Sequence, residues 1–126
     1  MEDHKPDVFL IREALRTANV NCDVELAPDG EQAIAVLERI EADETAACPD
    51  LVILDINLPR RAGRDVLRRI RHSPRCAATQ VVVVTSSDSV QDRSDMAALG
   101  ATGYFCKPGD YAEFMSLGTM IKNLLD

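Results

Sequence analysis

Three apolar stretches of this chain run straight into a side chain able to do chemistry. Leu51-Val52-Ile53-Leu54 ends on Asp55, Val81 to Val84 on Thr85 and Ser86, and Gly103 to Cys106 on Lys107. Glu2 and Asp3 precede the first helix, where another strand end would fall. If these stretches are parallel strands of one sheet, the side chains share the carboxyl-end rim, where open α/β sheets bind ligands. Three carboxylates, a hydroxyl and an ammonium suit phosphoryl transfer to a carboxylate. Asp55 would be the nucleophile, and Glu2, Asp3 and Asp55 offer the oxygen ligands that Mg²⁺ takes. Lys107 and the Thr85 hydroxyl would bind phosphoryl oxygens as charge moves. Singly, each residue has a plainer reading: a turn Asp, a Lys-Pro turn, an acidic terminus. Only the combination points to a reaction.

The elements needed to position this set are legible as an alternation of strands and helices. The runs Leu51–Leu54 and Val81–Val84 are continuous and rich in β-branched residues, as strands buried on both faces should be. Asp23 to Ala27 alternates polar and apolar like an edge strand, and Gly103 to Cys106 makes a short final one. Pro6 can open a first helix, with Val8, Ile11, Leu15 and Ala18 on one face. Asp29, with Gln32 three residues on, caps a second helix facing inward through Ala33, Leu37 and Ile40. Arg64 to His72 forms a third through Val66, Leu67 and Ile70, and Ser89 to Leu99 a fourth, stopped by Gly100. Asp110 and Glu113 cap a last helix whose stripe is Phe114, Leu117, Ile121 and Leu124. Such an alternation with short loops predicts a doubly wound α/β fold with a parallel sheet.

The chain has 126 residues, 46% hydrophobic and 28% charged, enough for one globular domain. Its net charge of −7 argues against attraction to nucleic acid or an anionic membrane. No apolar run approaches the roughly 18 residues that a membrane span needs, and the N-terminus is not a signal peptide. Cys22, Cys48, Cys76 and Cys106 lack metal-site spacing, so the expectation is reduced thiols in a cytoplasmic protein. Cys106 reads as a buried strand cysteine. Arg60, Arg61, Arg64, Arg68, Arg69, Arg71 and Arg75 read as a solvated face, with kinase docking by Arg60 or Arg61 as the alternative. The chain shows no repeat, low-complexity tract or linker, and the reading is a single domain over residues 1–126 without an output domain.

The motifs Glu2-Asp3, Leu51 to Pro59, Val84-Thr85-Ser86 and Gly100 to Pro108 together resemble the receiver domain of two-component response regulators. Thr85 follows Asp55 by 30 residues and Lys107 by 52, which agrees with that family's spacing. Glu41 to Pro49 and Asp-x-Asn-Leu-Pro-Arg-Arg resemble the subgroup that partners bacterial phytochrome kinases. The resemblance implies a flavodoxin-like sheet of order 2-1-3-4-5. It implies that Asp55 accepts phosphate from a sensor histidine kinase or phosphotransfer protein. Glu2, Asp3, Asp55 and a backbone carbonyl of Asn57 would place Mg²⁺. Thr85 and Tyr104 would be the moving switch pair, and Lys107 would hold the phosphoryl group. Such a domain regulates rather than turning over an external substrate, and a homodimer through the fourth helix, fifth strand and last helix is expected.

One departure from the family stands out: the apolar stretch that forms the first, central strand is missing before Glu2. Two strands would then flank an empty lane about 9–10 Å wide, twice the usual spacing. Either further residues fill it, another chain donates a strand, or the second strand closes against the third; the first is the preferred expectation. The competing functions are a degenerate, phosphorylation-independent interaction module and an aspartyl-nucleophile phosphatase. The latter usually needs a second Asp where Asn57 stands.

Overall fold

A computed structural model of the chain describes residues 7–56 and 61–125. The elements run α1 (Val8–Thr17), β1 (Val24–Ala27), α2 (Gly30–Ala42), β2 (Leu51–Asp55), α3 (Arg61–Arg71) and β3 (Gln80–Thr85). They continue with α4 (Val90–Ala98), β4 (Gly103–Cys106), α5 (Tyr111–Phe114) and α6 (Ser116–Leu125). The four strands form one parallel sheet in the order β1-β2-β3-β4. Every step across it goes the same way, and right-handed crossovers taken in one direction place their helices on one face. That is the arrangement here: α2, α3 and α4 line one face, leaving α1, α5 and α6 for the other.

The strand period of two divides the core accordingly. Val52, Leu54, Val81 and Val83 pack with Ala33, Leu37, Val66, Leu67, Ile70 and Met96. Leu51, Ile53, Val82 and Val84 pack on the opposite face with Ile11, Ala14, Phe114, Leu117 and Ile121. All five residues of β2 are buried, as the continuous apolar run predicts.

β1 closes directly against β2. Val24 to Ala27 pair with Leu51 to Leu54 in register, so the preferred expectation of a filled lane is not what the described residues show. Asp23 extends the ladder: its carbonyl accepts from the Asp50 and Leu51 amides, and its own amide donates to Asp50 Oδ2 at 2.9 Å. The driving force is the cost of leaving buried backbone groups unpaired, about 1–3 kcal/mol each.

Helix ends follow the capping residues. The Asp29 side chain accepts from the Gln32 amide at 2.8 Å, Ser89 from that of Asp92, and Asp110 from that of Ala112. Gly100, at φ +102, lets the Gly100 and Ala101 amides return to the Ala97 and Met96 carbonyls. The third helix begins at Arg61, three residues earlier than its apolar pattern indicates. The last helix is interrupted at Met115, where the Gly118 amide returns to the Met115 carbonyl in a tighter turn.

The arginines do more than solvate a face, contrary to expectation. Arg64 pairs with Asp95 at 2.9 Å and Arg69 with Glu41 at 2.7 Å. That guanidinium and the Ser73 hydroxyl hold the Glu41 carboxyl at about 2, well below its usual range. Arg71 donates to the Gly100, Ala77 and Thr79 carbonyls, joining α3 to the end of α4. Arg75 satisfies the carbonyl of Ile40 in the last turn of α2 and those of Asp43 and Ala46 beyond it. Freed helix-end carbonyls need donors, and a long planar guanidinium reaches several at once.

The cysteine expectation also needs correction. Cys48 and Cys76 are joined in a disulfide with a Cα–Cα distance of 5.8 Å, while Cys22 and Cys106 are free. Their separation of 28 residues carries no pairing signal in sequence. They meet because Arg75 pins the segment after α2 over the α3–β3 connection. Cys106 is half-buried rather than buried, since β4 is an edge strand.

Two expectations follow for stability. A Cβ at Gly118 would stand 2.1 Å from the Ala14 carbonyl oxygen, so α1 and α6 approach too closely for any side chain there. Gly118→Ala should lower unfolding free energy by about 1–3 kcal/mol, read from the urea midpoint. Opening the disulfide with a dithiol reductant, or Cys48→Ser, should cost about 2–4 kcal/mol, the order given by loop-closure entropy. Identical urea curves with and without reductant would contradict that contribution.

Candidate functional site

Parallel register brings the strand ends together before any side chain is considered. Asp55 closes β2 opposite Val84, and the Ile56 amide donates to the Val84 carbonyl at 3.1 Å. Thr85 closes β3 opposite Cys106, and its carbonyl accepts from the Lys107 amide at 2.7 Å. Asp55, Thr85 and Lys107 therefore stand on successive strands at one rim of the sheet.

Asp55 is fully buried, its side chain 0% exposed. Lys107 Nζ lies 2.7 Å from Asp55 Oδ1, with the lysine side chain 8% exposed. A buried carboxylate is costly unless paired and hydrogen-bonded, and this ammonium supplies the opposite charge. The second carboxylate oxygen, Oδ2, accepts from the Asp7 amide at 2.6 Å. The Asp7 carboxylate in turn lies 2.9 Å from Lys107 Nζ. The rim thus holds a carboxylate–ammonium–carboxylate arrangement in which Lys107 is shared between two acidic partners, so an incoming anion must compete for the ammonium.

Asp7 is a site residue that sequence reasoning missed. Its position before α1 makes it the N-cap, and an N-cap Asp normally accepts from its own helix. Here the side chain makes no capping bond. Only the long-range packing of α1 beside the sheet brings it to Lys107, and no local pattern signals that.

Thr85 is buried, and its Oγ1 accepts from the Ser87 amide at 3.2 Å. The Ser87 carbonyl accepts from the Tyr104 hydroxyl at 2.8 Å. Arg93 stacks over the Tyr104 ring at 4.6 Å, and burial raises the phenol above its ordinary pKa. Ser87 Oγ donates to Asp92 Oδ2, so one residue links the rim threonine, the aromatic and the start of α4. Ser86 is exposed beside them.

Of the residues assigned to Mg²⁺, Asp55 is placed as described; Glu2, Asp3 and Asn57 lie outside the described residues, as do Pro6 and Arg60. Among the described residues no cluster of three His, Cys, Asp or Glu side chains could hold a metal ion. No described helix is long and apolar enough to cross a membrane.

Comparison with known proteins bears on the family and the fold. Response regulator Rcp1 of Synechocystis sp. is 36% identical over 92 residues, covering 73% of this chain and 63% of that protein. The transcriptional regulatory protein TrcR of Mycobacterium tuberculosis is 37% identical over 94 residues, 75% of this chain and 33% of TrcR. The chain therefore spans less than two thirds of the length of either relative. Among solved structures, the phosphorylated cyanobacterial phytochrome response regulator RcpA superposes with a TM-score of 0.77 at 32% identity, covering 99% of this chain and 89% of RcpA. The Mn²⁺-bound form of Rcp1 gives 0.72 at 32% identity, covering 98% and 88%. Residues 1–117 match the response regulator receiver domain, and the chain belongs to that family.

Proposed function

We propose that this chain accepts a phosphoryl group on Asp55 from the phosphohistidine of a sensor histidine kinase or phosphotransfer protein. The observation that carries the reading is the buried Asp55–Lys107 pair at 2.7 Å on a rim shared with buried Thr85. An Asp55 oxygen attacks phosphorus, the P–N bond of the donor breaks, and the histidine nitrogen leaves with the electron pair. Lys107 and the Thr85 hydroxyl take the phosphoryl oxygens in place of water. Mg²⁺, when bound, neutralises phosphoryl charge. Glu2, Asp3, Asp55 and the Asn57 carbonyl are its proposed ligands, and a bound Mn²⁺ in Rcp1 supports a divalent-ion site.

The output is a change of partner binding, so the domain regulates and assists only its own phosphorylation and dephosphorylation. Thr85 moves toward the phosphoryl group, and Ser87 passes the movement to Tyr104 through the two hydrogen bonds described. The likeness to RcpA supports a bacterial phytochrome kinase as donor. The proposed compartment is the cytoplasm. There the thiol pool would keep the Cys48–Cys76 pair largely open.

Treatment with acetyl phosphate and Mg²⁺ should add one phosphoryl group by intact mass, and Asp55→Asn should abolish the addition. An unlabelled wild type of native fold would favour the interaction-module reading instead. Phosphorylation should also favour a homodimer through α4, β4 and the α5–α6 segment, where Val90 is 83% exposed. Ultracentrifugation showing the same monomer before and after labelling would refute the dimer.

A further inference from the structure

The Asp7 side chain stands against the site without capping its own helix, and this calls for a role. Its carboxylate forgoes the capping bond that its position offers and instead faces Lys107 at 2.9 Å. Its amide separately donates to Asp55 Oδ2 at 2.6 Å. The two contacts divide cleanly: the backbone orients the acceptor, and the side chain engages the ammonium. We propose that Asp7 is a positioning residue, the resting-state counter-ion that holds Lys107 until an incoming phosphoryl group displaces it. This rests on the phosphoryl-acceptor reading of Asp55 and adds the residue that sets how readily the acceptor is charged.

Exposure decides which carboxylate yields. The Asp7 side chain is 34% exposed and the Asp55 side chain 0%. Asp7 can turn into water at little cost, whereas Asp55 would have to leave the core. With acetyl phosphate as donor, an Asp55 oxygen attacks phosphorus, the bond from phosphorus to the bridging oxygen breaks, and acetate leaves with the electron pair. The new Asp55 O–P bond leaves a phosphoryl dianion beside Lys107. The Asp7 carboxylate opposes this twice, by competing for Nζ and by repelling the dianion. Resting occupancy of Lys107 by Asp7 therefore slows labelling, while the Asp7 amide keeps Asp55 oriented in any variant.

The test is the second-order rate constant for labelling of the full chain by acetyl phosphate at fixed Mg²⁺, followed by intact mass. Asp7→Asn and Asp7→Ser both remove the charge, and Ser remains a good N-cap. Both should label about fivefold faster than wild type, the order expected for losing one partly exposed charge beside a dianion. Asp7→Glu should restore the slow rate to within about twofold. A purely structural role predicts the opposite sign: lower melting midpoints and slower labelling. Equal or slower labelling of both uncharged variants, with native circular dichroism, would overturn the inference and leave Asp55 as acceptor. A wild type that takes no phosphoryl group, or Asp55→Asn labelled equally, would overturn the phosphoryl-acceptor reading of Asp55 and this inference with it.

Discussion

The arrangement depends on keeping a charged carboxylate inside a protein. Asp55 lies at the end of a strand with no exposed residue, so it cannot rely on water to stabilise its charge. Removing one partner of a buried ion pair typically costs about 3–5 kcal/mol, because the other charge is left uncompensated. Lys107 must therefore sit within contact distance of Asp55, which fixes the end of β4 relative to that of β2. The strand between them, β3, sets that spacing and contributes Thr85 at the same level. Position and chemistry are one requirement here: the register that satisfies the charge also assembles the rim.

A rim of this kind needs a rigid support. The two core layers meet through alternate residues of β2 and β3, so neither strand can slip by one residue without exchanging its two faces. Helices on both faces exclude water from the sheet, and exclusion of water makes the Lys107 ammonium effective. The edge strands are less constrained. β1 and β4 are only partly buried, yet β4 presents Lys107, so its position relies on the ladder to β3 and on Phe105 packing against Phe114 at 5.6 Å.

The central architecture was legible because the sequence carries it locally. Continuous β-branched runs marked β2 and β3, capping side chains marked the starts of α2 and of the last helix, and Gly100 marked the end of α4. Asp55, Thr85 and Lys107 were legible for the same reason, the first two ending a strand and the third directly following one. What escaped depends on contacts between distant segments. The Cys48–Cys76 bond, the service of Arg71 and Arg75 to remote carbonyls, and the reach of Asp7 to Lys107 have no periodic signature. The direct pairing of β1 with β2 was one of three stated outcomes but not the preferred one. Pattern alone weighed the outcomes against a family order, whereas in the described residues the backbone groups of β1 and β2 pair with each other.

The same logic explains how a small change at the rim can travel. Thr85 and Tyr104 are linked through Ser87, whose amide donates to Thr85 Oγ1, whose carbonyl accepts from the Tyr104 hydroxyl and whose own hydroxyl donates to Asp92 near the start of α4. A shift of Thr85 cannot be absorbed by β3, which is buried along nearly its whole length. It must pass into the less buried connection that follows, where Ser87 carries the Tyr104 hydroxyl bond. Arg93, stacked on the Tyr104 ring, extends the linkage to the outer part of α4. Rigidity on the strand side and looseness on the loop side give the displacement a direction. Under the proposed function, a change in charge at Asp55 would therefore be expressed at the α4–β4 surface rather than dissipated in the core.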